Sequence, residues 1–176
     1  MKLRSTIRSI LFLLLAAAAL GFIFFPFYEL SQNVIFDTIV ETVPFTEMIQ
    51  YKPSDYNDLL PEIAQTLNLL KEISSYLTIA VLALGSLGVV LSLIKIIVFK
   101  SKFVSFLSGI TFLLFTLATL GLGIISIVHC FIWKNSLTEL HLWNDGMSLT
   151  TLGGWLYAAI GITTPVVVVF TNFIKK

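Results

Sequence analysis

Residues 59–99 read LLPEIAQTLNLLKEISSYLTIAVLALGSLGVVLSLIKIIVF, and this stretch decides the fold. Its inner part holds 22 uncharged residues between Glu72 and Lys95. A helix needs about 20 apolar residues to cross a hydrocarbon core of about 30 Å. The outer part is amphipathic: Leu60, Ile63, Leu67 and Leu70 recur at three- and four-residue steps and make one apolar stripe. Asp58 is a suitable N-cap, and Pro61 is tolerated only in a first turn. No breaker separates the stripe from the apolar run. One long helix over 59–99 is therefore expected, crossing the membrane and projecting beyond it.

Working outward, charges mark three more windows. Twenty uncharged residues lie between Arg8 and Glu29, 31 between Lys102 and Lys134, and 29 between Asp145 and Lys175. Each suffices for one crossing and none for two. The spans are expected at about 7–28, 75–99, 104–132 and 150–173, with outer loops at 29–74 and 133–149. Backbone groups in lipid need internal partners, so the spans should be helices. The expected architecture is an all-α integral membrane four-helix bundle, one domain over 1–176, with a helical outer extension leading into the second span.

Composition agrees. The 176 residues are 57% hydrophobic and 12% charged, with a mean hydropathy of +0.95. A soluble domain carries about 25% charged residues. The net charge of +1 leaves no basic excess for nucleic acid. One cysteine excludes an internal disulfide and a CxxC motif. Lys2, Arg4 and Arg8 precede an apolar run and the alanines at 16–19, as in a signal peptide. A removable apolar region is about 7–15 residues long. Here the run continues through Phe22, Ile23, Phe24, Phe25 and Phe27, which favours a retained anchor.

Orientation follows from the loops. A cytoplasmic N-terminus puts Lys2, Arg4, Arg8, Lys95, Lys100, Lys102, Lys175 and Lys176 inside, and only Lys52, Lys71 and Lys134 outside. That eight-to-three split obeys the positive-inside rule. The first outer loop then carries eight carboxylates against two lysines. Trp133, Trp143, Trp155, Tyr28, Tyr76 and Tyr157 fall near the outer boundary, where amphipathic rings anchor. Both termini are expected in the cytoplasm, and the plasma membrane is the expected location.

The outer segments are less regular. Ile35, Ile39 and Val43 share one helical face, with Asp37 and Glu41 on another, and a short helix is expected there. The stretch is also rich in β-branched residues, so a strand is the alternative. Residues 51–58 read as an exposed turn. Residues 136–143 are expected to prolong the third helix until Asn144-Asp145-Gly146 breaks it. Small residues cluster at Gly85, Gly88 and Ser92, at Gly109, Gly123 and Ser126, and at Gly154, Ala158 and Gly161, which allows close helix packing. Pro165 is expected to kink the fourth span, with Thr163 and Thr164 available to nearby carbonyls.

The chemistry is sparse. No Asp or Glu lies inside a span, which argues against a proton relay. Lys95 is expected to snorkel to the inner headgroups. His129 and Cys130 project about 100° apart on a helix, and with His141 and Asp145 fit no zinc spacing. No phosphate-cradling loop, nucleophile elbow or HExxH occurs. No catalytic, cofactor-binding or metal site is expected.

Inner termini, a long first outer loop, a short inner turn and a short second outer loop resemble the broad four-span group of claudins, peripheral myelin proteins and fungal eisosomal proteins. The likeness covers the whole chain as topology only. That group carries a Trp…Gly-Leu-Trp…Cys…Cys motif in the first outer loop, and this chain has no Trp or Cys between residues 29 and 72. Claudins also carry an outer β-sheet. The missing motif and the helical stripe in 59–72 lead us to expect helices there instead. The expected function is non-enzymatic: organising, assisting or binding other membrane proteins through the spans and the acidic outer loop. The partners are the lipid bilayer and either a membrane protein or further copies of the chain, with no nucleic acid. A small oligomeric cation channel is the alternative, with Thr111, Thr119, Ser126 and His129 as its polar stripe. An intramembrane enzyme comes third.

The orientation is checked by single cysteines at Ser5 and Ser54 in a Cys130→Ser background. An impermeant maleimide applied to intact cells should label position 54 and spare position 5; the reverse result would invert the topology.

Overall fold

The computed structural model describes residues 2–34, 37–49, 60–97 and 101–173. Four helices are long and apolar enough to cross a membrane: α1 (Lys2–Gly21), α3 (Pro61–Ile97), α4 (Lys102–Glu139) and α5 (Leu152–Phe173). They close into a ring in which α1 and α4 each pack against both α3 and α5 or their neighbours in turn: α1 on α3, α3 on α4, α4 on α5 and α5 on α1. The expected helical bundle is therefore present, and the chain is an integral membrane protein. Its girdle of exposed Leu14, Leu87, Val90, Leu113, Leu117, Ile162, Val166 and Phe170 is a surface for lipid tails.

The helices differ in length. At about 1.5 Å per residue, α3 and α4 run about 55 Å and α1 and α5 about 30 Å. The expected outward continuation of the second span is observed: α3 is unbroken from Pro61, and Leu67 is fully buried. The expected turn at 51–58 and the last residues of the second span at 98–99 lie outside the described residues.

The space above α1 and α5 is filled by structure that the sequence reading placed differently. The first span does not reach residue 28. After α1 comes a 3-10 turn (Phe22–Phe24), then strand β1 (Pro26–Val34). Proline has no N–H and forces its predecessor out of the helical region; Phe25 is extended, with φ −79° and ψ 155°. Strand β2 (Asp37–Pro44) replaces the expected helix at 35–43. Thr38, Ile39, Val40, Thr42 and Val43 are β-branched and favour a pleated strand once β1 offers a partner ladder. A third strand, β3 (Met147–Thr150), comes from the second outer segment. The order is β2-β1-β3, antiparallel throughout, pairing Val34 with Asp37 and Gln32 with Met147. A three-stranded β-sheet is thus present where helices were expected. Pro44 ends β2, and the single helical turn α2 (Phe45–Met48) follows and packs against α3.

Helix α4 stops at Glu139, four residues short of the expected end. His141 adopts φ 56°, the left-handed region. Leu142 N–H donates to Leu137 O at 2.9 Å and His141 N–H to Thr138 O at 3.1 Å. These are the two bonds of a Schellman stop, with histidine where glycine is usual. Asn144 Oδ1 then accepts from Gly146 N–H at 3.0 Å, turning the chain into β3.

Small residues meet one another within the chain. A methyl at Gly161 would come within 2.7 Å of Leu120 Cα, one at Gly154 within 2.7 Å of Ser126 Cβ, and one at Gly88 within 3.0 Å of Phe12 Cζ. These backbones approach because nothing larger than hydrogen lies between them. Three buried hydroxyls inside the spans are satisfied by their own helix: Thr78, Thr119 and Ser126 donate to Ser74, Phe115 and Leu122 carbonyls at 2.8, 2.9 and 2.8 Å. At Pro165 the helix is continuous. Thr164 donates to Ile160 O at 2.6 Å, one carbonyl before the Gly161 carbonyl that proline leaves without its donor.

The left-handed residue gives a direct test. His141→Gly should stabilise the protein by about 1 kcal/mol or less, since a side chain there carries a penalty that glycine lacks. A raised thermal midpoint in mild detergent is the expected reading.

Candidate functional site

The sheet is fastened to the bundle by rings. β1 pairs Pro26 with Pro44 and Tyr28 with Val43, so Phe27 is an extra residue, a β-bulge. Neighbours in a regular strand point to opposite faces. The bulge re-aims the chain, and Phe27 and Tyr28 are both buried. They enclose His129 of α4: Phe27 lies 5.1 Å from its ring centre, and Tyr28 stacks on it at 5.8 Å and 16°. Trp133, one turn along α4, meets Tyr28 edge-on at 4.8 Å. Phe45 of α2 packs on Phe27 at 5.3 Å and on Tyr157 of α5 at 4.9 Å. The Tyr157 hydroxyl crosses to α1 and donates to Ala19 O at 2.9 Å. Edge-on aromatic pairs contribute about 0.5–1.5 kcal/mol each beyond the area they bury.

Tyr28, Tyr157 and Trp133 therefore turn inward rather than anchoring at headgroups. Trp155 and Tyr76 remain exposed, and Lys134 Nζ stands 5.3 Å from the Trp143 ring. Lys71, counted from sequence as a loop charge, is only 6% exposed and acts electrostatically on His129. Leu67, Lys71, Ser74 and Thr78 share one face of the helix, and all four are buried.

The remaining candidates do not converge. His129 is sealed among rings, while Cys130 faces the other way, its Sγ 4.0 Å from Thr150 O at the end of β3. His141 and Asp145 are exposed. Among the described residues no three His, Cys, Asp or Glu side chains gather at a point. Thr111, Thr119, Ser126 and His129 are buried inside one bundle, and Thr119 and Ser126 spend their hydroxyls on their own helix.

What faces solvent is β2. Residues 38–42 are all exposed, with Ile39 at 59% and Val40 at 52%. These two point to opposite faces, so over residues 38–42 neither face of β2 is covered, while Val43 packs against the core. Among the described residues no strand pairs with its far edge. Glu41 and Glu47 are exposed beside it and Glu29 is half-buried. On the other side, Ser31 and Ser148 link β1 to β3 through a 2.7 Å hydroxyl contact.

The chain matches no known family model, and no curated protein is similar to it.

The cluster predicts a stability effect without a chemical one. His129→Ala should lower stability by about 3 kcal/mol, as for truncation of a large buried ring, and Cys130→Ala by about 1 kcal/mol. Thermal unfolding in mild detergent measures both. A Cys130→Ala protein that keeps its stability and cellular level yet behaves like the deletion would instead assign the thiol a chemical role.

Proposed function

We propose that this is a non-enzymatic membrane protein that binds another membrane protein by strand addition to the far edge of β2. In this reading both termini are cytoplasmic, the sheet stands outside, and the plasma membrane is the site of action. The orientation is supported by the eight-to-three division of Lys and Arg.

One observation carries the binding proposal. Five consecutive residues of β2, 38–42, are exposed, Ile39 and Val40 on opposite faces, and among the described residues no strand pairs with the far edge. Natural proteins blunt such edges with Lys, Pro or a covering segment, because an open row of N–H and C=O groups templates another strand. Between Thr38 and Val43 β2 carries no Lys and no Pro, and its single Pro44 stands at the end of the strand. An added strand would take its affinity from main-chain hydrogen bonds and its selectivity from side-chain pockets on alternating positions. The exposed charges nearby, Glu41 and Glu47, are acidic. They select an extended segment bearing Lys or Arg and disfavour a second copy of β2, which would set like charges together.

A photo-crosslinking residue at Thr42 tests this in intact membranes. It should give one discrete adduct heavier than the chain, and Glu41→Lys or Val40→Lys should remove it while leaving the amount of protein unchanged. An adduct of two copies of this chain would replace the partner by self-association. No adduct from positions 38, 39, 40 or 42 would overturn the proposal.

A further inference from the structure

At the opposite end, where the start of α1, the end of α5 and the junction of α3 with α4 come together, the helices do not close. A cavity of about 260 Å³ lies among them. Helix α4 supplies one wall from Ser105, Ser108 and Gly109, successive positions of one helical face. Arg8 of α1 and Lys95 of α3 supply two cations, and Phe12 and Phe112 an apolar floor. We propose that this cavity binds the phosphate group of an anionic membrane lipid.

Four observations carry this. First, Arg8 and Lys95 are both half-buried and both line the cavity. Among the described lining residues none is acidic. Two cations lining one cavity of a low-dielectric bundle make it attractive to an anion. Second, the guanidinium is held in place rather than left to solvent. Its Nε donates to Thr171 Oγ1 on α5 at 3.1 Å, and Thr171 is fully buried. A planar guanidinium fixed in this way suits phosphate oxygens, and a lysine adds a point charge.

Third, the space is real on the α4 side. A methyl at Gly109 would meet no atom within 4 Å, whereas one at Gly123, Gly154 or Gly161 on the same pair of helices would collide with its neighbour. Fourth, one turn deeper on the face of α3 that carries Lys95, Ser92 is 1% exposed and its hydroxyl has no hydrogen-bond partner. The polar groups of this end are thus not fully satisfied by the protein itself.

Size and place favour a lipid as the carrier of the phosphate. Pockets for drug-sized ligands measure about 300–1,000 Å³, so this smaller cavity admits a headgroup and not a whole lipid. Its floor is phenyl, and the bundle exterior beside it is apolar, with Phe106 and Ile110 of α4 exposed. Acyl chains would lie along that surface while the phosphate enters between the helices. Basic pockets between spanning helices at the headgroup level are suited to anionic lipids in this way.

The test uses the full-length protein in mild detergent with phosphatidylglycerol, phosphatidylcholine or inorganic phosphate, read by native mass spectrometry and thermal shift. Phosphatidylglycerol should remain bound and raise the melting point, and phosphatidylcholine should bind at least about tenfold more weakly. Gly109→Leu fills the cavity and alters no charge; Lys95→Gln removes a charge and little volume. Each should weaken phosphatidylglycerol binding by about tenfold or more, while Lys102→Gln, outside the cavity, should not. Melting without lipid should be unchanged in Gly109→Leu, which separates loss of the site from loss of the fold. Equal binding of both lipids, or undiminished binding by Gly109→Leu, overturns the proposal. Stabilisation by millimolar inorganic phosphate with none from phosphatidylglycerol overturns the lipid assignment and makes the ligand a soluble phosphate.

Discussion

Two helices of 37 and 38 residues share a bundle with two of 20 and 22, and the sheet end is built around that inequality. Where α1 and α5 stop, the flanks of α3 and α4 that would face them carry Lys71, His129 and Trp133. His129 and Trp133 are covered by the rings of β1, with Phe45 of α2 packed on Phe27. The chain between α1 and α3 provides this cover by bulging at Phe27, so that two consecutive rings of β1 descend onto His129. Tyr157 joins the same cluster from α5 and ties it to the last turn of α1. Without these rings the sheet would have no seat, and the outer halves of the long helices would stand with a polar, half-filled seam.

The spanning helices were legible because their signal is redundant. Each has a long uncharged window, charges at its ends and no acid within it, so no single residue carries the inference. The outer structure was legible only in fragments. Pro26 marks the end of the first span, but the phenylalanines on either side kept hydropathy high past it, and hydropathy alone does not sense a missing N–H. The β-branched run at 38–43 is equally readable as an amphipathic turn of helix. What decides it is β1, a partner whose strand character follows from Pro26 and from the bulge. β3 is four residues long, too short for any periodicity, and exists because β1 has a second edge.

The same limit applied to single side chains. Lys71 continues an apolar stripe in which leucine and lysine alternate with serine and threonine, and a charge on such a stripe reads as a boundary. In the fold it is interior. Lys95 was read from its depth as a residue reaching for headgroups. Its setting beside Arg8 and the open face of Gly109 depends on which helices are neighbours, and a charge pattern does not carry that information. The two ends of the bundle thus solve opposite problems: one is packed dry with rings, the other is left open with cations at its rim.

Ser31 and Ser148 touch across the β1–β3 seam, yet they are 117 positions apart. The ribosome therefore delivers β1 and β2 long before β3 exists. Throughout the insertion of α3 and α4, β1 has only one of its two neighbours, and its second edge is open to any passing strand. The seam closes only when the segment before α5 arrives, and α5 must then enter the bilayer for Tyr157 to reach Ala19. Completion of the sheet is in effect a length check on the nascent chain. A product truncated before residue 147 would display an unpaired inner strand as well as the outer one, and that is the surface by which a quality-control protease or chaperone could tell an unfinished copy from a finished one.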